Sequence, residues 1–440
     1  MSSGVATFTT SSLALGSHSI TASYAGAGSF AASTSAALIQ AVNTPADSLK
    51  LRALQVLAAP VAAQISGQAI SGAVDSAITE GFSGGGAFVT PSAAGIRFNF
   101  AADPDSKPTQ IAARSTDPFS TANGSFESGG RRFATQPSSR ADTAPTSRVD
   151  DAFGALAYAG VTKAPPRYVE QRDWLGWAEV RGATLDHWGT GGLGTVTGVP
   201  FLWGNQVNLL AGVTRRLMPN FLVGVLGGYE TFDYRSDALQ GRLKGDGWTV
   251  GSYLGWKLSP NVRLDAAVAY SGIGYDGAAG TAAGSFNGNR WLVTSGLTGT
   301  YESYGLQIEP SARVYALWER ENAYTDTLGT LQAERNFSTG RASGGFKLSY
   351  PVAWSAAVSF APYVGLYGDY YFNSDSAGVP AAGAIPFIVL DGWSARAVGG
   401  LTAKFGNGAQ IAVGGERSGI GGNFGLWTYR ARASIPFGAQ

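Results

Sequence analysis

The stretch W-T-Y-R-A-R-A-S-I-P-F, residues 427–437, decides the fold. Trp427, Tyr429, Ala431, Ala433, Ile435 and Phe437 are apolar, while Thr428, Arg430, Arg432 and Ser434 between them are polar and twice cationic. Successive side chains of a strand leave on opposite faces, so this segment has one apolar and one charged face. A soluble sandwich would turn the apolar face onto a second sheet. Here the pattern recurs about a dozen times between Trp174 and Phe437, with no helical stretch to cover it. That implies a closed sheet whose apolar face meets lipid and whose polar face lines the inside.

The spacing predicts strands near 174–182, 203–217, 221–231, 247–258, 261–274, 288–301, 305–319, 337–350, 356–372, 391–405, 408–417 and 424–437. After even-numbered strands the connections read as short, for example Met218-Pro219-Asn220 and Ser259-Pro260. After odd-numbered strands they read as long and rich in Gly, Ser and Asp, as at 182–202, 232–246, 275–287 and 373–390. Short turns on one rim and long loops on the other is the outer-membrane asymmetry, with the short rim periplasmic. The fold class is all-β: a 12-stranded antiparallel transmembrane β-barrel.

Lipid-side candidates are Val207, Leu209 and Val213, then Val262, Leu264, Val268 and Tyr270, then Val293, Leu297, Val314, Trp318, Val364 and Leu366. The interleaved, pore-lining candidates are Glu179, Arg181, Asn208, Arg263, Asp265, Arg290, Glu309, Arg313, Arg341, Lys347, Arg396, Lys404, Arg430 and Arg432. They carry both signs and are expected to pair across the lumen.

Composition agrees. Only 14% of residues are charged, Gly numbers 62, and Trp, Tyr and Phe number 11, 18 and 22, the balance of many strands with tight turns and interfacial aromatics. A net charge of +1 with no Lys/Arg run gives no reason to expect nucleic acid. Zero Cys excludes disulfides and thiolate metal sites. No apolar run reaches the roughly 20 residues of a membrane helix, which leaves a barrel untouched because its strands alternate. Met1-Ser2-Ser3-Gly4 lacks the basic start and apolar core of a secretory signal, so the export signal is expected upstream of Met1.

The N-terminal part divides into residues 1–43, a helical segment 44–86, a flexible linker 87–146 and a second helical segment 147–166 before the barrel, 167–440. Val5–Thr10 and His18–Tyr24 read as β-like. Thr44-Pro45-Ala46-Asp47 is a helix start, and Leu49, Ala53, Val56, Leu57, Val61 and Ile65 follow helical spacing. Pro60 predicts a kink or two shorter helices. Ala94–Ala101 is a short strand candidate, followed by a Ser/Pro/Arg/Gly-rich stretch that cannot bury a core. Ser147-Arg148-Val149-Asp150 opens the second helix, with Val149, Phe153 and Leu156 on one stripe that ends at Gly160.

Residues from about Arg148 to Phe437 resemble an autotransporter β-domain, the translocator of type V secretion. The resemblance rests on R-D-W-L-G-W-A-E-V-R-G at 172–182, G-D-G-W-T-V-G-S-Y-L-G-W at 245–256, I-E-P-S-A-R-V-Y-A-L-W at 308–318 and the closing strand. G-V-A-T-F-T-T-S-S-L-A-L-G-S-H-S-I-T-A-S-Y-A-G near the start resembles the latter part of a bacterial Ig-like repeat. The first resemblance implies a linker helix threaded through the pore and an N-terminal passenger at the surface of a Gram-negative outer membrane. It also implies insertion by the barrel assembly machinery with periplasmic chaperones, contact with outer-membrane lipid and lipopolysaccharide, and an assembly signal carried by Trp427, Tyr429, Ile435 and Phe437. The chain ends P-F-G-A-Q rather than on an aromatic residue, and neither helix has the paired Asn at which some members cut themselves. The pore helix is placed at Ser147–Gly160, directly before the first strand, with Pro45–Gly81 as the alternative.

Catalytic and metal chemistry finds little footing. His18 and His187 are the two histidines, far apart and in surface-type segments. Asp150-Asp151 reads as first-turn acids beside a helix N-terminus. Gly189–Gly194 lacks the Lys-Ser/Thr of a phosphate loop. Trp174, Trp177, Trp248, Trp256, Trp291 and Trp427 could stack sugars, but near strand ends they read as an interfacial girdle. No cofactor, metal or enzymatic activity is expected. The function read here is a translocator and anchor that displays its own passenger. The alternatives are a porin-like solute channel, or an adhesin whose Ig-like repeats bind a surface partner.

Overall fold

The computed structural model describes residues 5–14, 16–83, 173–187, 201–355, 357–375, 390–422 and 424–438, with the backbone alone at 89–92 and 95–98. They fall in one compact unit, Met1–Ala102 with Gln171–Gln440. The expected helix 147–160, with Val149, Phe153 and Leu156, lies outside the described residues, as do most of the linker and Gly189–Gly194.

Twelve strands form the barrel: β1 Trp174–His187, β2 Leu202–Met218, β3 Phe221–Ser236, β4 Gly241–Ser259, β5 Val262–Ala279 and β6 Ala282–Gly299, then β7 Leu306–Glu321, β8 Arg335–Ser349, β9 Val358–Asp375, β10 Gly392–Phe405, β11 Gln410–Ile420 and β12 Phe424–Phe437. Each pairs antiparallel with the next. β12 pairs back to β1 from Phe424↔His187 to Phe437↔Trp174, so the sheet has no free edge and its backbone groups are satisfied within it. Trp174 and Phe437 share the rim of short turns, and their rings stack 6.2 Å apart.

The other rim differs from expectation. Segments 232–246 and 275–287 are mostly strand, and the chain turns only at Asp237–Gln240 and Gly280–Thr281. Gly, Ser and Asp suggested loops, but glycine spares room for large neighbours there: Gly245 pairs with Phe232, Gly277 lies against Leu51 and Gly284 against the Tyr324 ring. β4 has 19 residues and β5 has 18, where a bilayer crossing needs about 9–11. The walls therefore stand proud of the membrane on this rim.

The outer surface is apolar, with Leu209, Val225, Val250, Val293, Val314 and Val364 exposed. Trp248, Tyr270 and Trp291 form a cross-strand aromatic belt with centroids 5.8 and 4.9 Å apart. Trp177 does not belong to such a girdle. It is 4% exposed, points into the lumen, and its Nε1 donates to Tyr253 Oη at 2.8 Å. Placing a charge on the outer surface should be costly. Leu209→Arg is expected to destabilise the barrel by about 2–4 kcal/mol, read as a lower temperature for loss of compact gel mobility.

Among the described residues one helix, α1 (Ala46–Ser83), runs down the lumen. Pro60 neither ends it nor divides it in two. Upstream, Gly16–Ile20 pairs with Leu38–Val42 and Ser23–Tyr24 with Ser33–Thr34. Val5–Thr10 forms no ladder, and Phe8 is 87% exposed. The two ladders are separate two-stranded sheets, fewer than the three strands that independent stability needs.

Candidate functional site

The lumen around α1 is the candidate site. The helix carries no charged side chain between Arg52 and Asp75, a stretch of mainly Ala, Gly, Ser, Val, Leu and Ile. Such a sequence is narrow enough to lie against a barrel wall. A side-chain carbon at Gly67 would come within 2.7 Å of the Tyr315 ring, and one at Gly72 within 2.7 Å of Arg181 Nη2. Neither position admits a larger residue without displacing the wall.

At the long-loop rim, the Asp47 carboxylate accepts from the backbone N–H of Thr281 at 2.8 Å and from Lys50 Nζ at 2.9 Å. Gly280 has φ +57, and a side chain there would strike this carboxylate, so the turn needs glycine twice over. The Thr281 N–H bond, then Lys50, hold the Asp47 pKa down at about 2. Because the folded value is depressed, its contribution is present above the ordinary carboxylate pKa and is lost as pH falls from about 4 through about 2. Amide exchange at Ser48–Arg52 should therefore be slower in the native chain than in Asp47→Asn above pH 4, and the two should converge near pH 2.

Below this, Leu54, Leu57, Val61 and Ile65 pack against Phe232, Tyr234, Tyr275, Phe286, Phe337, Tyr371 and Phe424 from the wall. This apolar collar fills the outer half of the lumen. Under it lies a buried polar layer. Arg290, 1% exposed, reaches Glu319 at 2.8 Å and Glu230 at 3.0 Å, and Glu230 also accepts from Asn208 Nδ2 at 3.0 Å and from Ser66. Tyr315 Oη donates to the Gln64 carbonyl at 3.0 Å, and Ser71 Oγ meets Thr294 Oγ1 at 2.9 Å. Arg181 donates to the Gln68 carbonyl and to Glu179, while Arg341 donates to the Gln68 side-chain oxygen at 3.0 Å.

The last turns of α1 meet the wall through charge. Asp75 bridges Arg263 at 2.7 Å and Arg313 at 2.8 Å, and Arg313 also grips Asp265 at 2.6 Å. Glu80 takes both Nε and Nη2 of Arg432 at 2.8 Å, and Arg432 also reaches Glu179 at 3.2 Å while lying over Trp177. Arg216 donates to the Gly81 carbonyl, and Gln410 to Ser83 Oγ, at the short-turn rim. The helix N-terminus is thus at one rim and its C-terminus at the other.

Beside the inner half of α1 lies a cavity of about 640 Å³, reached from the short-turn rim and flanked by the helix from Gln68 to Ser83. Its lining holds ten Lys and Arg against five Asp and Glu, an anion-attracting balance. Lys347 with Glu309, Arg396 with Asp369, Lys404 and Arg430 are on this wall. Arg430 donates to the neutral oxygens of Ser76 and Tyr363.

All fourteen wall positions picked out by alternation face this lumen. Glu230, Glu319, Asp369 and Arg335 face it too and were missed, together with Asp75 and Glu80 on α1 itself. On β3 the inward residues before Glu230 are Leu222, Gly224, Leu226 and Gly228, and the outward ones include Val223 and Val225. Both faces are apolar where the helix lies, so alternation gives no signal at Glu230. The expected pore helix at Ser147–Gly160 lies outside the described residues, and it is the alternative segment that the structure describes in the lumen. The segment inside the lumen is Ala46–Ser83, whose Ala/Gly-rich stretch suits a narrow pore.

The profile of the Autotransporter beta-domain family matches residues 176–416, and that of the Bacterial Ig-like domain (group 3) matches residues 1–43. Comparison with curated protein sequences gives no match. Among solved structures, the chain is similar to the translocator domain of autotransporter NalP from Neisseria meningitidis, at 14% identity and TM-score 0.48, covering 61% of this chain and 90% of that one. It is similar to the β-domain of the Bordetella autotransporter BrkA at 16% identity and TM-score 0.48, covering 60% and 100%. The transport unit of AIDA-I from Escherichia coli matches at 12% identity and TM-score 0.40, covering 66% and 97%. With the family profile spanning more than half its length, this chain belongs to the autotransporters, as an outer-membrane translocator for a passenger segment.

Proposed function

We propose that the barrel draws its own N-terminal segment to the cell surface and then keeps α1 in the lumen as plug and tether. The observation that carries this is the direction of the helix. Asp47 lies at the long-loop rim beside Thr281, and Ser83 at the short-turn rim beside Gln410. Everything before Asp47 therefore emerges outside if the short turns face the periplasm. Asp75 and Glu80, bound by Arg263, Arg313 and Arg432, are the tether's inner anchor. The barrel carries no catalytic step of its own.

In this reading the exposed face of β12, with Trp427, Tyr429, Ile435 and Phe437, is the part that the barrel assembly machinery recognises after periplasmic chaperones deliver the chain. The outward apolar belt then sits among outer-membrane lipid and lipopolysaccharide. Protease added to intact cells tests the reading: residues 5–45 are cut while the barrel keeps its heat-sensitive compact mobility. Protection of 5–45 over a folded barrel would overturn it.

A second reading, an adhesin, is favoured by the Ig-like match over residues 1–43. There the displayed segment does the biological work and the barrel holds it. A porin-like channel predicts free solute passage with α1 in place, the opposite of a plug.

A further inference from the structure

We propose that Pro60 and Arg335 form an axial key that fixes where α1 comes to rest in the lumen. The inference rests on the reading of α1 as a parked plug and adds to it the residue pair that sets the parking position. From Ala53 to Val74 the helix is uncharged and, apart from Gln55, Gln64 and Gln68, small or apolar. Sliding it by a turn exchanges Leu57 for Val61 and Val61 for Ile65 at the collar, so apolar packing there discriminates poorly between heights.

Pro60 breaks that uniformity. Proline has no amide hydrogen, so the carbonyl of Val56, four residues earlier, loses its helical donor. Arg335 supplies one. Its Nη2 donates to Val56 O at 3.0 Å and its Nη1 to Gln55 O at 3.0 Å. The guanidinium is held from the wall side: Glu321 at 3.3 Å, Asp375, and the Phe337 ring 4.6 Å away. It is fully buried, so any unmatched N–H would go without water. Pro60 is the single proline inside α1, so a mid-helix carbonyl lacking its helical partner is presented at one height only. A helix one turn too high or too low offers Nη2 a carbonyl that already has its helical donor, whereas Val56 O has none.

The chain has no cysteine, so engineered pairs can report register without background. Gln64 Nε2 donates to Thr339 Oγ1 in the resting structure, making Gln64→Cys/Thr339→Cys the in-register pair. Gln68→Cys/Thr339→Cys reports a helix shifted outward by one turn. In the otherwise native chain the first pair should cross-link and the second barely. Arg335→Met and Pro60→Ala should each raise the second-to-first ratio at least about fivefold, the equivalent of one hydrogen bond. Combining them should add little to either alone, because each removes the same contact. Arg335→Lys keeps the charge beside Glu321 and Asp375 but not the fork, and should behave like Arg335→Met.

An unchanged ratio in Pro60→Ala, which has no cause to disturb the wall, would overturn the key. So would fully additive effects of the two substitutions. If neither pair cross-links in the native background, the helix is not parked at this site, and the plug reading falls together with the key.

Discussion

Deleting Ala46–Ser83 should turn a closed barrel into a conducting one, with single-channel conductance rising at least about tenfold. The collar of Leu54, Leu57, Val61 and Ile65 against Phe232, Tyr275, Phe286 and Phe337 is what blocks the outer half, and all four blocking residues belong to the helix. The inner half is already a cavity of about 640 Å³, so removing α1 joins it to the outside. The open pore should also prefer anions. Arg181, Arg263, Arg313, Arg396, Arg430 and Arg432 stay on the wall, while Asp75 and Glu80 leave with the helix. Reversal potentials in a salt gradient read this directly. A folded, helix-free barrel with unchanged current would mean that something other than α1 seals the lumen.

The second large effect is expected at Arg290. Its guanidinium lies between Glu230 and Glu319, and all three are at most 2% exposed. Arg290→Met leaves two carboxylates buried beside each other without a cation, a loss of about 3–5 kcal/mol. The temperature at which the barrel loses compact mobility should fall accordingly. Replacing Glu230 and Glu319 by Gln in the same chain should restore most of the loss, because the cost lies in the stranded charges rather than in the missing arginine. A single variant as heat-resistant as the native barrel would show that the triad contributes nothing net.

How legible the fold was depended on which wall a strand belongs to. On β12, Trp427 and Arg430 alternate between lipid and lumen, and the strand was readable from its residues alone. On β3 and β6 the lumen side must be apolar to receive α1, so Leu222, Leu226 and Leu292 blur the pattern and hide Glu230. The helix itself was legible as a segment over 44–86, and its place in the lumen only as the second choice. Being next in sequence to the first strand favoured 147–160, whereas what qualifies a segment to fill a pore is the small side chains at Gly67 and Gly72. Pro60 misled for a related reason. Its missing hydrogen bond breaks a helix in water, but here Arg335 donates to the orphaned Val56 carbonyl and the helix runs on.

The dry collar over a wet inner cavity also decides where an electric field would fall. Filled with water and ions from the short-turn rim, the inner half would conduct, so a potential across the membrane would drop over the collar rather than over the whole wall. A charge carried through that short drop would feel about 2.3 kcal/mol per 100 mV. Between Arg52 and Asp75 the helix has no such charge to carry. A shift of α1 by a turn therefore moves no charge through the collar and is insensitive to voltage, whereas full outward exit would carry Asp75 and Glu80 through it.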